Sequence, residues 1–537
     1  MTRKIALLLF AAFWFEQGGR TQDQLPRPDR MGVTNTGPYD YGVMGPPATP
    51  AIVAAADKAV SKPMPDGPFQ PSWDSLEKNY RTPSWFEDAK FGIFMHWGVY
   101  SVAAHHNEWY EKHMYGAEAE WHVEHFGPQE KFGYKDLIPM FTAAKWEPDA
   151  WATLFRKSGA RLVMGMAEHH DNFALWDSQV TPFNAKKMGP HRDLIGDLGA
   201  AVRKQGLKFG VSNHGVENFT FINPPPDLRE RLKTARADLF DPAWAAFYNV
   251  ADRSDPAMTR FLTDWVNRNI ELIDQYQPDM LWFDNGVNLR LLDPLKLRVA
   301  AYYYNRALQW GKEVSLATKF NAYAPSNDDT KQIGSIIDFE KVSARSPAGI
   351  RPGPWMVDDP IGSNSWGYIE GLRLASAGSI VGKLIDTVSK GGFYLFNISP
   401  MADGTIPQDQ QEVLLKIGAW LEINGEAIYG TRPWTKFMES GAPSYHFTTK
   451  GQTLYAIVSA WPGGDAVIGS LASDRVAGKV ESVALLGHSG PLEFTQDGQG
   501  LRIKLPTSLP TNPSATAWTF KITGLKLVRP GKSEVDR

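Results

Sequence analysis

The sequence predicts an α/β protein: a (β/α)8-like, TIM-type barrel followed by a C-terminal antiparallel β-sandwich. Short apolar runs alternate with amphipathic helical stretches from about residue 73 to 434, the rhythm of βαβ units in a parallel sheet. Eight such runs fall in that span, the number a closed barrel of this type needs. From about residue 435 to 537 the helical period stops, and short β runs separated by Gly, Ser and Pro replace it, as in a small sandwich.

Residues 1–20 begin with Arg3 and Lys4 and continue into an apolar run over 5–15. That run is shorter than the about 20 residues a membrane span needs. It suits the apolar region of a signal peptide, so a secreted or periplasmic protein, free of the membrane after signal removal, is expected. Residues 21–72 are rich in Pro, Gly, Asp and Ala without apolar periodicity and read as a linker or loosely held arm. The predicted barrel strands are 91–95, 161–167, 208–212, 280–283, 314–317, 336–339, 355–357 and 393–396. The helical stretches are 148–157, 194–204, 258–276, 294–310, 374–389 and 408–421. The seventh strand has the weakest pattern, and no clear helix precedes it. In the last domain, 454–458, 480–486, 501–505 and 517–522 read as β.

The bulk numbers exclude several function classes. A net charge of -3 over 537 residues offers no basic field, so no nucleic-acid partner is expected. The chain has no cysteine, which removes disulfides, thiolate metal centres and thiol nucleophiles. Its 19 Trp suit stacking on sugar rings and equally suit a large aromatic core.

In a barrel of this kind the site is built at the C-terminal ends of the strands. Here the runs end in His96-Trp97-Gly98, Glu168-His169-His170-Asp171, Asn213-His214-Gly215, Asp284-Asn285-Gly286, Lys319, Glu340-Lys341, Asp358-Asp359 and Asn397. Turn chemistry accounts for some Asp, Asn and Gly, but not for three histidine-bearing ends in succession. A polar, hydroxyl-reading pocket is expected. Two carboxylates on different strands are what glycoside cleavage requires, one to attack the anomeric carbon or activate water and one to protonate the leaving oxygen. Asp284 directly follows an apolar run and suits the first role. Glu340 shares a strand face with Asp338 nearer the mouth and suits the second. Alternatively, Asp284 closes a simple Asp-Asn-Gly turn, and Glu340 is a loop charge paired with Lys341. Adjacent on an extended strand, His169 and His170 should point to opposite sides, unlike the i, i+4 pair of a helical zinc site. Neither metal nor cofactor is therefore expected. A barrel site gathering His96, one of this pair and Asp284 is the metal alternative.

Residues 85–102 read Trp-Phe-Glu-Asp-Ala-Lys-Phe-Gly-Ile-Phe-Met-His-Trp-Gly-Val-Tyr-Ser-Val and are followed by Glu108-Trp109-Tyr110. Further stretches are Glu-His-His-Asp-Asn-Phe-Ala-Leu-Trp at 168–176, Gly-Pro-His-Arg-Asp-Leu at 189–194, and Gln-Pro-Asp-Met-Leu-Trp-Phe-Asp at 277–284. Ser-Lys-Gly-Gly at 389–392, Asn397, and Ala-Asp-Gly-Thr-Ile at 402–406 complete the series. In this order, over 73–434, they resemble family 29 of the glycoside hydrolases, the α-L-fucosidases. The resemblance implies a barrel with a β-sandwich behind it. It also implies exo-acting hydrolysis of terminal α-linked L-fucose from oligo- or polysaccharides, with retention through a fucosyl-enzyme ester. By position, Asp284 matches the nucleophile, and Glu340 lies where many members place the acid/base. His96, Glu108, Trp109, His169 and His170 match residues lining the fucose pocket, and Trp366 resembles its wall against the sugar methyl. Two positions depart from the pattern. His214 follows the third strand where many members carry a Tyr-Tyr pair, and it is expected to take over the pocket contact. Lys319 stands where arginine is common, keeping the charge but losing the planar fork.

Competing readings are a barrel glycosidase specialised for sulfated fucans or related galactosides, a metal-dependent hydrolase, and a non-catalytic sugar-binding protein. The sandwich reads as a structural lid or as a sugar-binding module. The sequence assigns no oligomeric state.

Overall fold

The computed structural model describes residues 48–319, 321–326, 328–342, 346–507 and 516–527. The expected signal peptide and residues 21–47 of the arm lie outside the described residues.

Eight parallel strands close into a barrel in sequence order: β1 (Phe91–Met95), β2 (Leu162–Glu168), β3 (Lys208–Asn213), β4 (Met280–Phe283), β5 (Ser315–Lys319), β6 (Ile336–Asp338), β7 (Trp355–Pro360) and β8 (Phe393–Ile398). Closure is made by β8 on β1, with Ile93 opposite Phe396 and Phe94 opposite Asn397. Both faces of nearly every strand residue are buried, as expected where helices cover the outside and side chains fill the inside. Gly92 is needed at the seam, since a Cβ there would meet Leu162 O at 3.0 Å and the Phe393 ring at 3.0 Å.

The covering helices begin with N-terminal caps that can be read in the sequence. Asp193 accepts from Gly196 N at the start of Leu194–Lys204, Ser254 from Ala257 N before Asp255–Tyr276, and Ser376 from Ser379 N before Ala377–Ser389, each satisfying an amide that lacks a partner within the helix. Pro148–Lys157, Asp293–Trp310 and Gln408–Asn424 complete the set. Among the described residues only the 3-10 turn Asp329–Lys331 joins β5 to β6. No regular helix precedes β7 among them, in keeping with the weak pattern there.

The segment expected to be a loose arm is, from residue 48 onward, packed onto this gap and the adjoining helices. Thr49 caps the helix Pro50–Ala59, which buries Ile52, Val53 and Ala56. Thr263 Oγ1 donates to Ala56 O, and Arg298 pairs with Asp57. The helix Trp73–Asn79 buries Leu76 against Gly334, and Tyr80 OH meets Ser315 Oγ at 2.6 Å. Each apolar patch is one turn long, too short to register as periodicity, and it is tertiary contact that orders it.

Behind the barrel, β9 (Arg432–Glu439), β10 (Tyr445–Lys450), β11 (Thr453–Val458), β13 (Gly478–Leu485) and β16 (Trp518–Leu525) form an antiparallel sheet in the order β13-β16-β11-β10-β9. A second sheet has the order β12-β15-β14, from Ala466–Ile468, Gly500–Ile503 and Phe494–Asp497. Strand β11 alternates between two cores. Leu454, Ala456 and Val458 enter the sandwich, while Tyr455 and Ile457 join the barrel cluster. Trp420 Nε1 donates to Ala517 O and Thr519 Oγ1 to Asn424 Oδ1, so the sandwich is fastened to the outside of the helix Gln408–Asn424.

Candidate active site

Every strand delivers a polar group to one end of the barrel. His96 follows β1 and holds Asn397 of β8, Nδ1 to Oδ1, at 2.8 Å. At the end of β2, Glu168 accepts from Arg268 at 2.6 Å, and His169 and His170 follow. His214 leaves β3, with its backbone N–H on Glu168 O. Asp284 follows β4, Lys319 closes β5, Glu340 follows β6, and Asp358 lies in β7.

His169 and His170 do not point apart. The strand ends at Glu168, after a register shift between Met166 and Glu168, so the alternation that separates neighbours no longer applies. Both rings face His214, with centroids 5.1 and 5.4 Å away. His96 stands 5.6 Å from both His169 and His214. Burial lowers the pKa of all four imidazoles, that of His170 to about 3. They are neutral at ordinary pH, each with one donor and one acceptor nitrogen, as sugar hydroxyls require. Neutral imidazoles are also what a metal would need. His96, His169 and His214, and separately His170, His214 and Asp284, bring ligand atoms within 4.8 Å of one another.

Three side chains converge on Asp284. Lys319 Nζ lies 3.1 Å from its Oδ1, while His214 Nδ1 and His170 Nε2 lie 3.0 and 3.6 Å from its Oδ2. Burial by itself would push this carboxyl up. Lys319, then His214, reverse that and hold it well below the usual carboxylate range. Lys319 Nζ also lies 3.5 Å from Glu340 Oε2 and 3.7 Å from Asp358 Oδ2. Burial alone would lower the ammonium, but Asp284, Asp358 and Glu340 push it well above its ordinary value. The nearest oxygens of Asp284 and Glu340 are thus no further apart than the two legs through Lys319 laid end to end. Asp358, fully buried and crowded by Asp338, is pushed well up.

The walls are aromatic. Trp366 sits 5.1 Å from His96 and 5.3 Å from Lys319, ring centroid to ring centroid or ammonium. Its backbone N–H donates to Glu108 Oε2 at 2.8 Å, and its carbonyl accepts from Asn397 and Ser399. Glu108 therefore ties the loop after β1 to the loop after β7. Trp282 donates from Nε1 to Asp338 at 2.7 Å beneath Lys319, and Trp109 closes the His170 side at 6.0 Å. All ten residues singled out in the sequence fall in this one site.

Two buried carboxylates behind the rings were not singled out. Glu217 Oε2 lies 3.3 Å from His170 Nδ1, and Glu111 Oε1 lies 3.6 Å from His169 Nδ1. Burial, then Asp284, pushes Glu217 well up; burial, then Asp171, does the same for Glu111. A protonated Glu217 can donate to Nδ1 of His170, leaving its Nε2–H for Asp284. Their spacing was the available signal: each lies three residues past a singled-out residue, His214 or Glu108, in a short helical turn.

The family model for α-L-fucosidase matches residues 56–426, and that for the α-L-fucosidase C-terminal domain matches residues 439–523. The chain is 33% identical to the rat tissue α-L-fucosidase over 85% of this chain and 92% of that one. It is 32% identical to the human tissue enzyme over 90% and 99%. The solved structure of a Thermotoga maritima α-fucosidase in complex with fucose superposes with a TM-score of 0.65 at 32% identity, covering 84% of this chain and 99% of that one.

Proposed function

The chain belongs to the α-L-fucosidase family and is a glycoside hydrolase, and from that premise we propose that it releases terminal α-linked L-fucose with retention, using Asp284 as nucleophile and Glu340 as acid/base. One observation carries the reading: a single buried ammonium, Lys319, lies against both carboxylates. Two carboxyl groups so linked fall short of most of the about 6.5–9.5 Å range that leaves room for an inverting water, and they suit the about 5–5.5 Å of a retaining pair. Asp284 enters the reaction ionised, because Lys319 holds its charge, and attacks C1. Glu340 gives its proton to the leaving oxygen and then takes one from the water that opens the fucosyl ester. Neutral His96, His169, His170 and His214 bond the ring hydroxyls, and Trp366 covers the methyl. The similar Thermotoga maritima enzyme has been solved with fucose and with a mechanism-based inhibitor, which supports the same chemistry here. The substrate is a fucosylated oligo- or polysaccharide met outside the cytoplasm, and the apolar run over 5–15 is removed on export. N-terminal sequencing of the mature protein checks that last point.

The test is hydrolysis of an aryl α-L-fucoside followed by NMR. Appearance of α-L-fucose before mutarotation is expected, and β-L-fucose as first product refutes the double displacement. The His96, His169, His214 and His170, His214, Asp284 clusters favour a metal-dependent hydrolase as the second reading. Loss of activity on dialysis against a chelator, restored by a divalent ion, would establish it.

A further inference from the structure

Resting on that reading, we propose that the mouth of the site is a leaving-group subsite that selects a sugar bearing an anionic substituent, a sulfate ester or a carboxylate, beside the scissile linkage, and that Lys341 is its reader. Outward from Glu340 the site opens into a cavity of about 260 Å³ lined by Asn107, Lys341, Ser363 and Asn364 as well as Trp366, of a size for one sugar ring rather than a chain. Lys341 has a φ of 63°, in the left-handed region that side chains other than glycine rarely adopt. A bond from its backbone N–H to Asp358 O at 2.8 Å holds it there. This conformation brings Nζ to 3.8 Å from Glu340 Oε1 and 5.7 Å from the Trp366 ring, with 46% of the side chain still exposed.

A lysine stands near each oxygen of Glu340. Lys319, buried, takes Oε2 on the inner side; Lys341, open to the cavity, takes Oε1 on the outer side. Proton donation needs the leaving oxygen about 2.6–3.2 Å from Glu340. A substituent on the next carbon of the leaving sugar then falls within reach of the Lys341 ammonium. Arg373 adjoins the same rim through its backbone. Ser363 N–H donates to Arg373 O at 2.9 Å, and Arg373 N–H donates to Asn364 Oδ1 at 3.0 Å, with the Arg373 residue itself exposed. The acid on this lining besides Glu340 is Glu108, whose Oε2 is occupied by Trp366 N–H and the Ser365 hydroxyl. The amides of Asn107 and Asn364 and the Ser363 hydroxyl suit the neutral hydroxyls of the same ring. An exposed ammonium beside the linkage is the group that reads sulfate or carboxylate.

The experiment compares kcat/KM within matched pairs of fucosyl disaccharides. One pair has a leaving galactose linked through O3, with and without a 4-sulfate. The other has a leaving sugar linked through O4, glucuronic acid against glucose. A preference of about two- to fivefold for the charged member of at least one pair is expected, the size an exposed ion pair supplies. It should shrink as ionic strength rises, fall to about one in Lys341→Met and persist in Lys341→Arg. The ratio within each variant cancels any change in Glu340 itself. If Lys341→Met proves too slow to measure, the salt dependence of the unmodified enzyme's ratio decides. Preference in one pair identifies sulfate or carboxylate as the source. A ratio near one in both pairs, or a preference that salt and Lys341→Met leave unchanged, overturns the subsite. Release of fucose from a neutral aryl fucoside with such a flat ratio refutes only the anionic subsite, whereas no release from any of these compounds refutes the fucosidase reading beneath it.

Discussion

Replacing Lys319 by methionine removes one charge and keeps most of the volume, and its effect can be worked from the site geometry. The ammonium is 3.1 Å from Asp284 Oδ1, and both groups are buried. At an effective dielectric constant of about 20, that contact contributes about 5 kcal/mol to the ionised nucleophile, equivalent to about four pKa units. His214 and His170 remain near Asp284, and the neighbouring Asp358 is already pushed toward its neutral form, so relaxation offsets part of the loss. An upward shift of about one to three units in the acid limb of kcat/KM remains. The sign is fixed. Asp284 is now held well below its ordinary range, so the limb it controls lies far on the acid side; without Lys319 it moves toward neutrality, and activity at pH 5 falls further than activity at pH 8. The assay is kcat/KM against pH for an aryl α-L-fucoside in the unmodified enzyme, Lys319→Met and Lys319→Arg. Lys319→Arg should retain the original limb, since it keeps the charge. A Lys319→Met enzyme with raised KM and an unmoved acid limb would show that the lysine only binds a sugar hydroxyl, and the account of the nucleophile would be wrong.

Asp284→Asn should lose at least about three powers of ten in kcat with an unchanged melting temperature, because the nucleophile is lost at constant size; appreciable residual turnover would move the role elsewhere. Glu340→Ala should slow a substrate with a poor leaving group far more than an activated aryl fucoside, and azide should restore part of the rate as a glycosyl azide of retained configuration. Glu217→Leu should lower kcat by about 10- to 100-fold, as the loss of a supporting hydrogen-bond partner does in other sites, with KM little changed. Glu217→Gln, which can still donate to His170 Nδ1, should be close to normal, and equal damage from both variants would refute the positioning role. Asp238, buried and bonded by Tyr115 and by Tyr248 at 2.5 Å, is raised by burial to about 7. A raised folded-state pKa binds a proton that the unfolded chain releases near pH 4, so this stability is present below about pH 4 and is lost as pH rises through about 7. Thermal melts should therefore show a slope between pH 4 and 7 that Asp238→Asn flattens, and an unaltered slope counts against the assignment.

Much of the barrel could be read because each strand is a short, wholly buried apolar run that stops at a polar residue, so Phe91–Met95 and Met280–Phe283 match the predicted bounds. The strands β9 and β14 escaped because their side chains are largely exposed or half-buried and show no apolar run. The helix Pro50–Ala59 escaped because its buried face spans a single turn. His169 and His170 lie past the end of the strand, so the alternation that predicts opposite directions does not reach them.

Sequence by itself determined the barrel, the sandwich and the residue types at each strand end, since these follow from local periodicity and from where an apolar run stops. It also placed Asp284 directly after β4, where a strand can hold it still. Only the tertiary structure decided that Lys319 stands between Asp284 and Glu340, that Glu217 backs His170, and that Lys341 turns outward over the cavity. Those relations join residues far apart in the chain, and the charge states they impose arise from burial and close approach together. Neither burial nor distance exists until the barrel has closed.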